Sequence, residues 1–301
     1  MKTAVLCFVL ALAGIRQGDA ITAGSVVKIE DHPYQVAIDY YTKPASAEDD
    51  DPSHVTVSTS SGALITDKTV ITSGSSLVDD KKTVDLKQLV VRVGAQRRDA
   101  GGASYKVVDY LLHPAYQHSW TIDGDVLLLY LGEQVPTRPE TRPVPLADPS
   151  RTLVPGERLV LTGYGNLTEG EVLADGEVRQ LQAAALPFVN QEICGDIWGF
   201  YGTTTVRACA GGLAKDACGQ GDQGAPLVNW RGELVGVASP QLEGECGVLG
   251  QPTVFTSLLT ADMQQWIKSN ANGKQPEPTS TPVPSVVGAR HLWHPQRRPQ
   301  Q

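Results

Sequence analysis

This sequence has none of the spacings that gather metal ligands: no Cys-x-x-Cys pair and no His-Glu-x-x-His segment occurs. No metal site is therefore expected, and no motif calls for another cofactor. Long apolar runs are as scarce. Only AVLCFVLALA, at Ala4–Ala13, stands out, and it is too short to span a bilayer, so no membrane partner is expected. Basic charge is also in deficit, with 25 Lys and Arg against 33 Asp and Glu. The net charge of −8 includes +1 from residues 1–20 (Lys2 and Arg16 against Asp19) and +3 from residues 271–301 (Lys274, Arg290, Arg297 and Arg298 against Glu277). Residues 21–270 are therefore left at −12. Such a surface excludes nucleic acid and other polyanions as partners. Cysteine is sparse and lopsided: Cys7 lies in the apolar run, while Cys194, Cys209, Cys218 and Cys246 all fall in the second half.

What is present begins with an export leader. Lys2 supplies its positive flank and Gly18-Asp19-Ala20 ends in a small-x-small pattern, giving a signal peptide over 1–20. Cleavage after Ala13 is the alternative. In an exported chain the four remaining cysteines read as disulfides, with three possible connectivities. From Ile21 onward, short runs such as YQVAIDY, GALITDKTVIT, VLLLYL, RLVLTGYG and ELVGVAS are separated by Gly, Pro, Asp and Asn, as in an all-β sandwich or barrel. One helix is expected, in LTADMQQWIKS, where Met263, Trp266 and Ile267 share a face. The proline-rich stretch Val135–Ser150 reads as a seam between two halves of a domain over 21–270, near 135–155. Residues 271–301, rich in Pro, Ser and Thr, read as a disordered tail. Asn166 opens an Asn-Leu-Thr glycosylation sequon.

The most informative stretch is CGQGDQGAPLV, Cys218–Val228. Gly221 and Gly224 bracket Asp222 and Gln223 in a tight turn suited to presenting one side chain beside backbone N–H groups, as an oxyanion hole requires. The side chain presented is a glutamine, which is no nucleophile at ordinary pH.

Residues 21 to about 269 resemble the trypsin/chymotrypsin family of serine proteases. ITAG with HPYQVAI resembles the family's mature N-terminus. HPAY and DGDVLLLYL resemble the segment carrying the catalytic aspartate, which places Asp125 in that slot. LTGYG resembles the start of the second barrel, KDACGQGDQGAPLV the nucleophile turn, LVGVASP the substrate-pairing strand, and TVFTSL with QQWI the last strand and helix. The resemblance implies an all-β fold of two six-stranded antiparallel β-barrels with a C-terminal helix, and a cleft between the barrels. It also pairs Cys194 with Cys209 and Cys218 with Cys246. ITSGSS, at Ile71–Ser76, resembles the family's LTAAHC. Ser75 then stands where the catalytic histidine belongs and Ser76 where a cysteine belongs. Ser60, sixteen residues upstream, stands at that cysteine's partner.

The triad works because a histidine takes the hydroxyl proton while a carboxylate fixes its tautomer. By the resemblance, Asp125 remains while Ser75 and Gln223 replace the base and the nucleophile, so the chain is expected to be no enzyme. Asp216 corresponds to the floor of the specificity pocket, where it would favour a basic group. Thr253 stands where a glycine lines the pocket wall, which implies an obstructed pocket. Ile21 and Asp222 match the terminal amine and carboxylate whose buried ion pair orders the turn. SAEDDD, with Glu48, Asp49, Asp50 and Asp51, is an acidic insertion flanking the cleft that can steer a basic partner.

A secreted scaffold kept without its chemistry points to binding, since protease clefts already make standard-size protein interfaces. Among triad-deficient members of the family, the chain is similar to the secreted glucanase inhibitor proteins of oomycete plant pathogens. That resemblance implies an extracellular effector, acting in the host apoplast, that binds and inhibits a plant endo-β-1,3-glucanase. The alternatives are a secreted trypsin-like endopeptidase and a non-catalytic cofactor of another protease.

Overall fold

Strand alternation decides what each run faces. In LVVRV, Leu89, Val91 and Val93 are buried while Val90 and Arg92 are partly exposed, the two-residue period of a strand with one core face. In LLLYL every position is buried, so that strand needs apolar cover on both faces. The computed structural model describes residues 21, 24–42, 56–78, 83–116, 123–165, 180–199, 206–213, 217, 220–239 and 248–272, and it contains both kinds of environment.

Chain order begins with β1 (Ser25–Val26), β2 (Gln35–Thr42), β3 (Thr56–Leu64), β4 (Thr69–Thr72), β5 (Leu89–Val93), β6 (Ala103–Leu112) and β7 (Leu127–Leu131). It continues with β8 (Arg158–Gly163), β9 (Gln182–Val189), α1 (Gln191–Trp198), β10 (Arg207–Gly211), β11 (Pro226–Val228), β12 (Leu234–Ala238), β13 (Pro252–Ser257) and α2 (Ala261–Asn270). Strands β2-β3-β4-β7-β6-β5 close into one antiparallel barrel. Strands β8-β9-β10-β13-β12-β11 close into the second, with β1 added at the edge of β9. Two six-stranded antiparallel barrels with a C-terminal helix are the architecture expected from the sequence.

The two faces of β7 serve different cores. Leu127, Leu129 and Leu131 fill the first barrel with Val36, Ile38 and Leu64. Leu128 and Tyr130 face the other way, into a layer between the barrels with Ile71, Leu234, Val237, Met263 and Ile267. Each leucine buried in this way contributes about 1.5–3 kcal/mol. The proline-rich connection lies across the same junction. Arg142 and Val144 donate their N–H groups to Pro33 and Leu64 of the first half, at 2.9 and 2.8 Å. Leu234 of the second barrel donates to Pro145 at 2.8 Å. Helix α2, capped by Thr260, completes the junction: Tyr130 donates its hydroxyl to Asn270 O at 3.0 Å.

Helix α1 is an element the sequence reading lacks. Asn190 caps it, accepting from Glu192 N at 2.8 Å. It shows no core-facing apolar periodicity because only Cys194 is buried, while Ile193 and Ile197 face outward. The Cys194–Cys209 disulfide, paired as expected, ties it to β10, and Trp198 Nε1 donates to Pro252 O at 3.0 Å. The leader 1–20, Glu48, Asp49, Asp50, Asp51, Asn166, Asp216, Cys218, Cys246 and the tail from 273 lie outside the described residues. Among the described residues, no helix is long and apolar enough to cross a membrane.

Candidate functional site

Asp125 enters the junction on the residue before Val126, directly after a turn at Gly124 whose φ is +72°. A side chain at Gly124 would strike His113 Nδ1 at 2.7 Å, so both conformation and space require glycine there. The Asp125 carboxylate is wholly buried. Ser75, on the turn that follows β4, donates its backbone N–H to Oδ1 at 2.7 Å and its hydroxyl to Oδ2 at 2.6 Å. The Ser239 hydroxyl and the Gly74 N–H also reach this carboxylate. Burial pushes the Asp125 pKa up, and these four hydrogen bonds oppose the rise.

Opposite stands the turn that presents Gln223. Ser61, at the end of β3 nearest this turn, donates its N–H to Gln223 O and its hydroxyl to Gly221 O, each at 2.8 Å. Gly224, with φ +75°, sits so close that an added Cβ would lie 2.0 Å from Thr72 Oγ1. Its N–H donates to Ala238 O at 2.8 Å. The Gln223 turn therefore rests on β3 and on the end of β4 that leads into Ser75. The structure brings Ser75, Asp125 and Gln223 to one corner of the junction.

Asp222 anchors the turn from behind. It is 1% exposed, and its two oxygens accept from Ile21 N at 3.2 Å and from Gly165 N at 3.0 Å. Gly163 leaves room for it, since a Cβ there would meet Asp222 Oδ1 at 2.4 Å. Ile21 itself is fully buried in the second barrel's core. Thr253 is also fully buried and accepts a hydrogen bond from Ala217 N at 3.0 Å, so its side chain is tied across the wall where the resemblance places a glycine.

The sequence reading misses Ser239 and Ser61. Both act through registers and contacts between distant strands, which no local pattern in ASPQ or STSSG reveals. It also misses the Arg207–Asp123 ion pair, at 2.8 Å, which ties β10 to the turn before Asp125. Chemically, the corner holds a hydroxyl donating to a buried carboxylate, with the turn that carries Gln223 resting on the strands that lead to it.

The trypsin family model matches residues 21–267. A trypsin of Simulium vittatum is 30% identical over 223 residues, 73% of this chain and 81% of that protein. Trypsin epsilon of Drosophila erecta is 30% identical over 283 residues, 90% of this chain and 98% of that protein. Phenoloxidase-activating factor 1 of Holotrichia diomphalia is 32% identical over 178 residues, which span 46% of its length. Among solved structures, a scabies mite inactivated protease paralogue shares the fold with a TM-score of 0.66 at 23% identity, covering 83% of this chain and 99% of that one. With both barrels inside the matched region, the chain belongs to the trypsin family of serine protease domains.

Proposed function

We propose that this trypsin-family domain is a secreted protein-binding module without proteolytic activity, and that it binds and inhibits a plant endo-β-1,3-glucanase. The Ser75–Asp125 pair carries the loss of chemistry. A serine protease needs a group that takes a hydroxyl proton near neutral pH and is oriented by the carboxylate. Here none of the four groups on Asp125 is a histidine, and the Ser75 hydroxyl already donates to it. Gln223 offers a carboxamide where a nucleophile is needed. Losing the members of such a triad removes about six orders of magnitude of turnover in a related mechanism.

Support for binding comes from what is kept: both barrels close, Asp222 holds its turn, and the 194–209 disulfide is in place. The fold also serves a scabies mite protein named as an inactivated protease, so the scaffold does not depend on the chemistry. The glucanase partner rests on the resemblance of the sequence, and the charge of −12 on residues 21–270 favours a basic target. A fluorophosphonate probe tests the first part: no residue of the secreted protein should be labelled, and labelling at any position overturns the loss of chemistry. Mixing with a plant endo-β-1,3-glucanase tests the second: a complex and reduced oligosaccharide release are expected. A folded sample that binds no such enzyme removes that partner.

A further inference from the structure

Helix α1 turns an unusual face outward. Cys194 and Trp198, one turn apart, point inward to the disulfide and to Pro252 O. Ile193 and Ile197 are thereby left 53% and 40% exposed, with Glu192 and Asp196 exposed beside them. The helix sequence QEICGDIW contains no basic residue. Leu213 and Leu249, 64% and 75% exposed, are the chain neighbours of Gly212 and Gly250, and Gly250 N donates to Gly212 O at 2.8 Å. Gly212 backs onto Pro252, the residue whose carbonyl holds Trp198. Single exposed aliphatics are ordinary on a protein surface, but here two share α1 and two flank the segments that meet at Pro252, to which α1 is bonded through Trp198.

We propose that this face docks an apolar, cationic segment of another extracellular protein. Ile193, Ile197, Leu213 and Leu249 would cover its apolar side chain, and Glu192 and Asp196 would pair with its lysines or arginines. The inference rests on the reading that the domain works by binding, and it places the contact on α1 and the segments that meet at Pro252 in the second barrel. Charge selects the occupant. A second copy of this chain would bring Glu192 and Asp196 against their own counterparts, on bodies that each carry −12, so self-association is disfavoured. A basic partner reverses that sign.

The test uses the full-length secreted protein and two synthetic amphipathic helical peptides of equal length, one of leucine and lysine, the other of leucine and glutamate. With the lysine peptide alone, hydrogen exchange should slow in residues 191–198, 206–213 and 248–252. Ile197→Ser combined with Leu249→Ser, both at exposed positions, should weaken binding about tenfold or more. Glu192→Gln with Asp196→Asn should weaken it and flatten its salt dependence. Protection elsewhere, equal binding of the glutamate peptide, or binding of neither peptide overturns the proposal. In any complex with a plant glucanase the same serine pair should break the contact, and a complex that survives it counts against this face. A glucanase that does not bind the unaltered protein removes the partner proposed above, and the peptide titration still decides the face.

Discussion

The backbone nitrogen of Ile21 lies 3.2 Å from Asp222 Oδ2, deep inside the second barrel. Ile21 is the one non-glycine residue with positive φ among the described residues, at +38°. That conformation is costly for a β-branched side chain as long as another residue precedes it. Freeing the amine removes the φ constraint and replaces a neutral N–H with an ammonium facing the carboxylate. Terminal sequencing of the secreted protein should therefore read Ile-Thr-Ala-Gly; a chain starting at Gly14 would contradict this. Asp222→Asn should cost about 3 kcal/mol of stability in urea unfolding, the scale for breaking a buried pair.

Chemistry should not return through one substitution. Gln223→Ser supplies a hydroxyl, but the group on Asp125 is still the Ser75 hydroxyl, donating at 2.6 Å. Peptide hydrolysis by Gln223→Ser should remain at background. The double change Gln223→Ser with Ser75→His should recover only a trace, because Thr253, where the resemblance places a pocket-wall glycine, stays buried and bonded to Ala217. Appreciable turnover by the single variant would show that another group serves as the base.

Much of the fold is legible in the sequence because each barrel strand carries its own pattern. LVVRV alternates and LLLYL does not, and the difference matches one buried face against two. Helix α1 is illegible for the opposite reason. A disulfide and one indole hydrogen bond hold it, so its isoleucines do not mark its inner face. The site divides in the same way. Asp125 and Ser75 are fifty residues apart, and only their resemblance to family segments brings them together before the structure does. Ser239 reaches Asp125 from the end of β12, and no local signal announces a hydroxyl in that role.

His113 should make stability depend on pH. Its ring packs edge-on against Trp266 at 4.6 Å, and Nδ1 accepts from Ala115 N at 3.2 Å. Burial holds its pKa below the ordinary 6.5. Between that lowered value and 6.5 the unfolded chain binds more protons than the folded one, so this contribution is present above 6.5 and fades as pH falls below it. Between pH 7 and pH 5 the urea midpoint of the parent should fall relative to that of His113→Asn, while Asp125, whose pKa burial raises, acts in the opposite sense in both proteins. His32, shifted in the same direction by its own burial, keeps part of the slope in that variant.

Two neighbouring serines should respond oppositely to alanine. Ser60 is 1% exposed and its hydroxyl has no hydrogen-bond partner among the described residues. Ser61 Oγ donates to Gly221 O at 2.8 Å. Removing an unpaired buried hydroxyl relieves a desolvation cost, whereas removing a paired one loses the bond and strands its acceptor. Ser60→Ala should raise the unfolding free energy by about 1 kcal/mol, and Ser61→Ala should lower it by about as much. Thermal unfolding of the two variants beside the parent protein reads both signs at once.

Association kinetics should separate two roles for acidic residues. Glu48, Asp49, Asp50 and Asp51 are consecutive carboxylates, a concentration of charge that acts at a distance. Long-range attraction sets how often a basic partner arrives and is screened within a Debye length of about 8 Å at physiological salt. It does little once the surfaces have met. Replacing these four residues with serine should therefore slow association of a basic glucanase severalfold, with little change in dissociation and a flatter dependence on salt. Ile197→Ser with Leu249→Ser should do the reverse, speeding dissociation while leaving the salt dependence of association intact, because those side chains act only in contact. Surface plasmon resonance across a salt series measures all four quantities. If that replacement alters dissociation alone, the carboxylates are anchors at the interface, and the steering role assigned to them is wrong.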